Sequence, residues 1–161
     1  MQDERGACGD GNEPIREPAH EPAAESAMRE PPGTIADSVE ISIPSDARYV
    51  RLVRLATSAM ATLVDADVDT IDDLRVAVDE MCAALIEVAR GDKISLRLWL
   101  DGDTIGVDGT TMLGDAAALD AERFSLSDQI LRVIADDHEF GADGNGSCRF
   151  WISRSLAPVQ V

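Results

Sequence analysis

The segment from Ile71 to Glu87 constrains this chain more than any other, because its apolar residues recur at the spacing of an amphipathic helix. At about 100° per residue, one stripe of that helix collects seven residues: Ile71, Leu74, Val78, Met81, Cys82, Leu85 and Ala89. Glu80 points to nearly the opposite side, where its neighbours one turn away are small or apolar: Val76, Ala77, Ala83 and Ala84. The pattern predicts a helix that packs against a sheet on one side and presents a single carboxylate to a pocket or a partner on the other.

The residues before this helix predict a strand followed by another helix. Residues 39–44 alternate apolar and polar side chains like an edge strand that ends at a proline. Ser45 or Asp46 is a suitable N-cap for the next helix, whose apolar residues recur at intervals of three and four: Tyr49, Val53, Ala56, Met60 and Leu63. Caps for the helix that carries Glu80 are predicted at both of its ends: Asp69 or Thr70 first, and Gly91 last.

Beyond that helix, the sequence predicts two hairpins separated by a third helix. Alternate positions in residues 94–100 are aliphatic, which places four side chains on one face of a strand: Ile94, Leu96, Leu98 and Leu100. The remaining elements follow in order: a turn at 101–103, a strand at 104–107, a helix at 126–134, and a hairpin of 138–140 and 148–152 about the turn 143–146.

Composition divides the chain into an acidic segment and one domain. Residues 1–37 contain five of the seven prolines, nine acidic and three basic residues, and hardly any large apolar side chain. Because such a segment buries too little apolar surface to offset the entropy of ordering, we expect residues 1–37 to be a disordered tail. Residues 38–161 suffice for a single two-layer core. Since no stretch resembles a signal peptide or a membrane span of about 20 apolar residues, the sequence predicts a cytoplasmic protein that makes no membrane contact.

Net charge limits the class of partner. The formal net charge is −17, of which −11 belongs to residues 38–161. A surface this acidic repels phosphate backbones, so direct binding to nucleic acid is not expected. Arg48, Arg51 and Arg54 are an exception, since they recur every three residues beside the apolar stripe of the first helix. They form either a solvated face or a partner-binding surface on which guanidinium groups pair with carboxylates.

The cysteines and histidines give no sign of a metal site. Cys8, Cys82 and Cys148 have no metal-ligand spacing, and the two histidines, at 20 and 138, lie in unrelated settings. We therefore expect no metal site of this kind, and we expect Cys82 and Cys148 to be small buried hydrophobes rather than a redox switch.

The string Ala77-Val78-Asp79-Glu80-Met81-Cys82-Ala83-Ala84 resembles the N-box helix of the GHKL ATPase superfamily, in the branch of anti-sigma factor serine kinases. Strand, helix, helix, hairpin, helix, hairpin is also the order of elements in that branch. The resemblance implies an α+β fold, a two-layer sandwich of a mixed, mostly antiparallel sheet with helices on one face. It assigns residues 38–161 to a histidine kinase-like ATPase domain.

The resemblance also suggests which residues to compare with a nucleotide site. Glu80 matches the catalytic N-box glutamate, whereas Ala84 stands where the family has its magnesium-binding Asn. Asp108 and Gly109 fall near the first Gly-rich box as nucleotide-binding candidates, in an imperfect copy of it, and Asp108 is alternatively a turn acid. ATP is the implied cofactor, but an alanine methyl cannot coordinate magnesium.

Two functions follow from the resemblance. In the first, the chain is an anti-sigma factor that sequesters a sigma factor and is released by an anti-anti-sigma antagonist, with weak or lost kinase activity. In the second, it is an active ATP-dependent serine kinase that phosphorylates that antagonist. Ala84 and the lack of complete Gly-rich boxes, which in the family wrap the phosphates, favour the first, and Glu80 favours the second. A nucleotide bound without turnover is a third alternative, and the branch also implies a homodimer.

Overall fold

The computed structural model describes residues 37–91, 93–114, 124–143 and 145–156. The disorder predicted for residues 1–36 therefore lies outside the described residues, whereas Asp37 begins a strand. The elements follow in chain order: β1 (Asp37–Pro44), a short 3-10 helix (Ala47–Tyr49), α1 (Val50–Leu63), α2 (Val68–Val88), β2 (Lys93–Asp101), β3 (Thr104–Met112), α3 (Ser125–Ile134), β4 (Asp137–Ala142) and β5 (Ser147–Ser155).

The five strands form one sheet in the order β1-β2-β3-β5-β4. Each pair of neighbours is antiparallel, with Leu98 opposite Val107 and Val107 opposite Ile152 at the centre. The predicted α+β fold with a mostly antiparallel sheet is confirmed. The parallel pairing implied by a mixed sheet does not occur among the described strands, because hairpins join β2 to β3 and β4 to β5.

The inner face of the sheet packs on the helices and forms the core. Its strand residues alternate along β2, β3 and β5, as the aliphatic pattern predicted, and are buried: Ile94, Leu96, Leu98, Ile105, Val107, Cys148, Phe150 and Ile152. They pack with the stripe of α2 formed by Leu74, Val78, Met81, Cys82 and Leu85. The prediction that this stripe faces the sheet is confirmed for these five residues.

The outer face of the sheet points away from the helices. Register places six side chains or glycines there, on three adjacent strands: Arg97, Trp99, Gly106, Asp108, Arg149 and Trp151. The indole of Trp99 lies against Gly106 of β3, since a Cβ added to Gly106 would collide with its ring. The outer face therefore carries a polar and aromatic cluster instead of the aliphatic residues of the inner face.

α2 begins and ends differently from the sequence prediction. Its N-cap is Asp67, whose carboxylate accepts a hydrogen bond from the backbone N–H of Thr70 at 2.7 Å. The predicted caps Asp69 and Thr70 consequently lie inside the first turn. At the other end the helix stops at Val88 rather than at Gly91, because Ala89 pairs with Leu113 in an isolated β-bridge.

α1 buries a different stripe from the predicted one. Asp46 caps the short 3-10 helix that precedes α1, and Val53 and Met60 are buried as expected. Tyr49 and Leu63, however, are exposed. The buried positions are Val50, Val53, Thr57, Met60 and Ala61. Tyr49 lies in the 3-10 helix, where side chains follow a period of three residues rather than 3.6, and Leu63 is the last residue of α1.

Candidate functional site

The side chain of Glu80 lies between two helices. Ser127, near the start of α3, donates its hydroxyl hydrogen bond to Glu80 Oε2 at 2.6 Å. Glu80 is half-buried there, 47 residues away from its partner in sequence. The face of α2 opposite the sheet is thus partly covered by α3, and the lone carboxylate predicted on that face has a defined hydrogen-bond partner.

The alanines around Glu80 divide into packed and open positions. Ala77 and Ala84 are 1% and 3% exposed, whereas Ala83 and Val76 are exposed. Ala84 therefore fills a packed position. Its methyl group offers no ligand to a cation, and the described residues contain no group of three His, Cys, Asp or Glu side chains that could hold a metal ion. These residues do not fit a magnesium site.

Asp108 and Gly109 lie on opposite faces of the sheet. They are consecutive residues in the middle of β3, where side chains alternate. Gly109 faces α2, since a Cβ added to it would be 2.5 Å from Leu85 Cδ1. Asp108 faces away from the helices, so the structure does not bring it together with Glu80. Nucleotide binding by Asp108 and Gly109 stays a prediction, and the expected turn at Asp108 is wrong because β3 extends to Met112.

The carboxylate of Asp108 is held by two arginines. Arg149 donates from Nε to Oδ1 at 2.8 Å and from Nη2 to Oδ2 at 2.7 Å, a bidentate pair. Arg97 adds a hydrogen bond from Nη2 to Oδ2 at 3.2 Å. The Asp108 side chain is 8% exposed, so the carboxylate exchanges most of its hydration for these guanidinium groups. The ion pairs with Arg149 and Arg97 account for the burial of the Asp108 carboxylate without a bound ligand.

A concavity of about 430 Å³ lies beside α3, next to the Glu80–Ser127 pair. Phe124, Phe140 and Phe150 pack along it, the first pair edge to face with ring centroids 4.6 Å apart and the second pair tilted with centroids 5.0 Å apart. His138 Nε2 and Asp128 Oδ1 form a 3.0 Å pair at its edge, and this hydrogen bond lowers the pKa of Asp128 below its ordinary value. The concavity combines an apolar wall with acidic and imidazole groups.

The three arginines of the first helical region make different contacts. Arg48 pairs with Asp46, two residues earlier. Arg54 pairs across the helices with Asp79 at 3.2 Å, so it joins α1 to α2. Arg51 is exposed and makes no ion pair within the part of the chain that the structure describes. Of the predicted partner-binding set, Arg51 alone thus combines exposure with the absence of such a pair in the described residues.

Burial explains the state of Cys82 and Cys148. Both are free thiols with 0% exposure in the core, and burial raises the pKa of each to about 12. Such thiols remain protonated and poorly nucleophilic near neutral pH. They pack as small hydrophobes, as predicted.

Comparison with known proteins decides the family. Residues 43–128 match the histidine kinase-like ATPase domain model, which spans more than half of the chain and includes α1, α2 and the start of α3. The chain belongs to the histidine kinase-like ATPase domain family. The α2 helix that carries Glu80 is therefore a family element, and the resemblance seen in its sequence is confirmed.

Curated relatives of this ATPase-like chain carry the names anti-sigma-F factor and serine-protein kinase. The Mycobacterium tuberculosis anti-sigma-F factor RsbW is 32% identical over 109 residues, which cover 66% of this chain and 63% of that protein. The serine-protein kinase RsbW of Bacillus velezensis is 33% identical over 78 residues, or 46% of this chain and 49% of that protein. The chain spans less than two thirds of the length of these relatives.

Solved structures agree on the ATPase-like fold. The RsbU and RsbW domains of a Mycobacterium tuberculosis protein superpose with a TM-score of 0.56 at 14% identity, covering 75% of this chain and 33% of that one. The SiaB–SiaC complex of Pseudomonas aeruginosa gives a TM-score of 0.50 at 13% identity, covering 72% of this chain and 88% of that one. At these identities the likeness concerns the fold alone.

Sequence reasoning misses three features that shape the site: Ser127, the pair of Asp128 and His138, and Arg149. Nothing local distinguishes Ser127 from other helix-start serines. The pair of Asp128 and His138 joins residues of two elements, and Arg149 reaches Asp108 from 41 residues away. Only the alternation of β5, which predicts that Arg149 faces away from Phe150, carried a usable signal.

Within the described ranges, no helix has the length and apolar character that a membrane crossing requires.

Proposed function

We propose that this ATPase-like chain is an anti-sigma factor, which sequesters a sigma factor and is released by an anti-anti-sigma antagonist. Two kinds of observation support the proposal. The family match covers residues 43–128, and the RsbW relatives carry the names anti-sigma-F factor and serine-protein kinase. The relatives' names alone leave both functions open, so the choice between them rests on the geometry around Glu80.

The observation that carries the choice is the packing of α3 on the Glu80 face of α2. The Glu80 carboxylate accepts from Ser127, and Ala84 is buried where the family has a magnesium-binding Asn. A carboxylate held by a serine and a packed methyl group provide neither an open acceptor for a substrate hydroxyl nor a metal ligand. We therefore propose weak or lost kinase activity.

The outward surface of α1 is the proposed sigma-binding surface. It combines exposed Arg51 with Leu52 and Leu55, which are 46% and 66% exposed. Leucines anchor an amphipathic helix in a partner, and guanidinium groups pair with its carboxylates. Because the domain is otherwise acidic, this cationic and apolar surface fits an acidic, amphipathic helix of the sigma factor. Arg48 and Arg54 belong to the same proposed surface, although each already has an ion pair.

The test is a binding measurement with each sigma factor of the source genome. The wild type should capture one of them at nanomolar to micromolar concentration, and Arg51→Glu should weaken that capture at least tenfold through like-charge repulsion. Lys93→Glu is the matched control, because Lys93 is exposed on β2 and the substitution changes the charge by the same amount. If the wild type captures no sigma factor, the proposed function is wrong. If Arg51→Glu captures the sigma factor as well as Lys93→Glu does, α1 is not the binding surface.

The second candidate, an active serine kinase, is favoured by the glutamate retained at position 80 and by the relatives named serine-protein kinase. Calorimetric titration with ATP, with and without magnesium, separates the alternatives. Binding together with phosphate transfer to an antagonist serine would establish the kinase. ATP binding without magnesium and without turnover would indicate that the nucleotide is only a ligand. If no binding is seen at millimolar ATP, only the anti-sigma factor without kinase activity remains.

The organisation of the chain completes the proposal. Residues 38–161 would constitute the regulatory domain, with the sigma factor and its antagonist as cytoplasmic partners and no direct contact with nucleic acid. A homodimer is proposed from the family branch. Sedimentation at several protein concentrations checks it.

A further inference from the structure

Helix α3 carries more apolar side chains than the core covers. Five of the ten residues in this helix, all of them described, are large and apolar, whereas the core buries Leu131 alone. At about 100° per residue, Leu126, Ile130 and Val133 fall on one stripe about 60° wide. Leu126 is 67% exposed, Val133 is 79% exposed, and Ile130 is half-buried. A contiguous apolar stripe that the fold leaves uncovered is typical of a surface that binds another molecule.

Helices α2 and α3 pack side by side and run antiparallel. Ser127, at the start of α3, donates its hydrogen bond to Glu80 in the middle of α2. At the other end of α3, Arg154 donates to the carbonyl oxygen of Ile134 and to Asp73, at 3.0 Å each. The end of α3 therefore lies towards the start of α2, so the exposed sides of the two helices adjoin along their shared length.

The exposed side of α2 continues the apolar stripe of α3. Val76 is 44% exposed, and Ala83 is exposed two turns later on the same side of the helix. The antiparallel arrangement places Val76 nearer to Val133 and Ala83 nearer to Leu126. We call this set the α2–α3 surface: Val76, Ala83, Leu126, Ile130 and Val133. It extends roughly 10 Å along both helices, which matches the two turns that a partner helix contacts through its apolar face.

The rim of the α2–α3 surface is acidic. Five acidic residues lie around it on α2 and just beyond α3: Asp69, Asp72, Asp73, Glu80 and Asp136. Asp69 is exposed and makes no ion pair with any described residue. Glu80 accepts from the neutral hydroxyl of Ser127, a contact that leaves its negative charge in place. The rim therefore attracts cationic groups.

The basic side chains near the surface are already paired within the fold: Arg75 with Asp72, Arg132 with Asp128, and Arg154 with Asp73. The net charge of residues 38–161 is −11, so a second copy of this chain would bring like charges to the rim. Charge complementarity therefore favours a cationic occupant over self-association.

We propose that the α2–α3 surface binds a basic amphipathic helix of a protein partner. Apolar side chains of that helix pack on Leu126, Ile130 and Val133, and its Lys or Arg side chains pair with Asp69 and Glu80 on the rim.

The α2–α3 surface is separate from the proposed sigma-binding surface. Consecutive residues of α2 contact different helices, since Asp79 pairs with Arg54 of α1 whereas Glu80 contacts Ser127 of α3. Because α1 is cationic and fits an acidic helix, the two surfaces select helices of opposite charge. The partner of the α2–α3 surface is therefore a second protein, and its binding does not depend on sigma capture.

Binding of synthetic peptides to the full chain tests the proposal. One peptide of about 18 residues has leucines on a single helical stripe and lysines on the opposite face. The control peptide has the same composition in an order that scatters the leucines around the helix. At about 150 mM salt, fluorescence anisotropy should give a micromolar Kd for the first peptide and a Kd at least tenfold weaker for the second. Equal affinities would overturn the proposal, because net charge alone would then explain the binding.

Apolar variants locate the bound peptide. Leu126→Ser combined with Val133→Ser should weaken binding of the first peptide at least tenfold, and Val76→Ser on the other helix should weaken it several-fold. The matched control, Leu63→Ser with Val39→Ser, removes the same two side chains from exposed positions on α1 and β1 and should change the Kd less than about twofold. All these positions are exposed, so the circular dichroism spectrum should stay unchanged. If the Leu126 and Val133 variant binds as tightly as the control, the surface is wrong.

A charge variant and sedimentation test the rim and the identity of the occupant. Asp69→Lys should weaken binding of the first peptide several-fold more than Asp101→Lys, an equal charge change at the exposed end of β2. Equal effects would show that the rim does not select the peptide. Sedimentation of the wild type at several concentrations detects a second copy. Self-association that Leu126→Ser with Val133→Ser abolishes would overturn the proposal, because this chain would then be the occupant.

Discussion

Replacing Asp108 by Asn tests whether this acid is structural or binds a nucleotide. The substitution keeps the side-chain volume but removes the charge that faces Arg149 and Arg97. The Arg149 side chain is 15% exposed and donates two hydrogen bonds of 2.8 Å and 2.7 Å, whereas Arg97 is 36% exposed and donates one at 3.2 Å. Breaking a buried pair costs roughly 3–5 kcal/mol, and an exposed pair costs at most about 1 kcal/mol.

The expected loss for Asp108→Asn is about 2–3 kcal/mol, since Arg149 is not completely buried and the amide oxygen still accepts one bond. For a domain of this size the melting temperature should fall by roughly 6–15 °C. Urea unfolding followed by circular dichroism measures the free energy directly. Asp101→Asn, an equal charge change at an exposed position, should stay within about 0.5 kcal/mol of the wild type.

A double-mutant cycle identifies the partner of Asp108. Arg149→Met in the Asp108→Asn background should cost less than the sum of the single substitutions, because the uncompensated guanidinium is then absent. Unchanged stability of Asp108→Asn would refute the ion-pair account. If Asp108→Asn instead leaves stability intact and abolishes calorimetric ATP binding, the acid is a ligand contact, as the Gly-box resemblance suggested.

Further expectations concern packing, pH and thiol reactivity. Gly109→Ala should destabilise the domain by about 1–3 kcal/mol in urea unfolding, since the new Cβ lies 2.5 Å from Leu85 Cδ1; no loss would contradict the close packing of β3 on α2. The hydrogen bond from His138 lowers the pKa of Asp128 below its ordinary value of 3.8, so its stabilisation is present above that value and is lost as pH falls through the folded pKa. Between about pH 5 and pH 2, His138→Gln should therefore lose less stability than the wild type in thermal melts. Equal losses of stability in the two proteins would show that the Asp128–His138 hydrogen bond does not stabilise the fold. Iodoacetamide followed by mass spectrometry should leave native Cys82 and Cys148 unmodified at pH 8 and modify both in urea, because burial raises their pKa to about 12; rapid native labelling would contradict this.

Much of the fold was predictable from periodicity because α2 and the central strands carry a one-sided apolar pattern. The stripe from Leu74 to Leu85 on α2, and the alternation of Ile94, Leu96 and Leu98 on β2, place those side chains in the core as predicted. Element ends were less predictable. Asp67 caps α2 although Asp69 and Thr70 are equally good caps in sequence, since the choice depends on the path of the preceding turn.

The candidate site was predictable only in part. The family and the position of Glu80 could be recognised from the N-box string, and the family is confirmed. The pairing of Asp108 and Gly109 in one site could not be judged from sequence. Whether the segment is a loop or a strand decides whether adjacent residues converge or diverge, and β3 continues through both of them.

The sequence by itself determined which residues of α2 and β2 leave water, because hydrophobic burial follows local periodicity of 3.6 or 2 residues there. Tertiary structure alone decided which polar groups meet: Ser127 with Glu80 across 47 residues, and Arg149 with Asp108 across 41. Those pairs depend on strand register and helix packing, and a shift of one residue in a strand moves a side chain to the other face. Short-range patterns predict burial in α2 and β2, whereas hydrogen bonds between distant elements are fixed only once the whole core has packed.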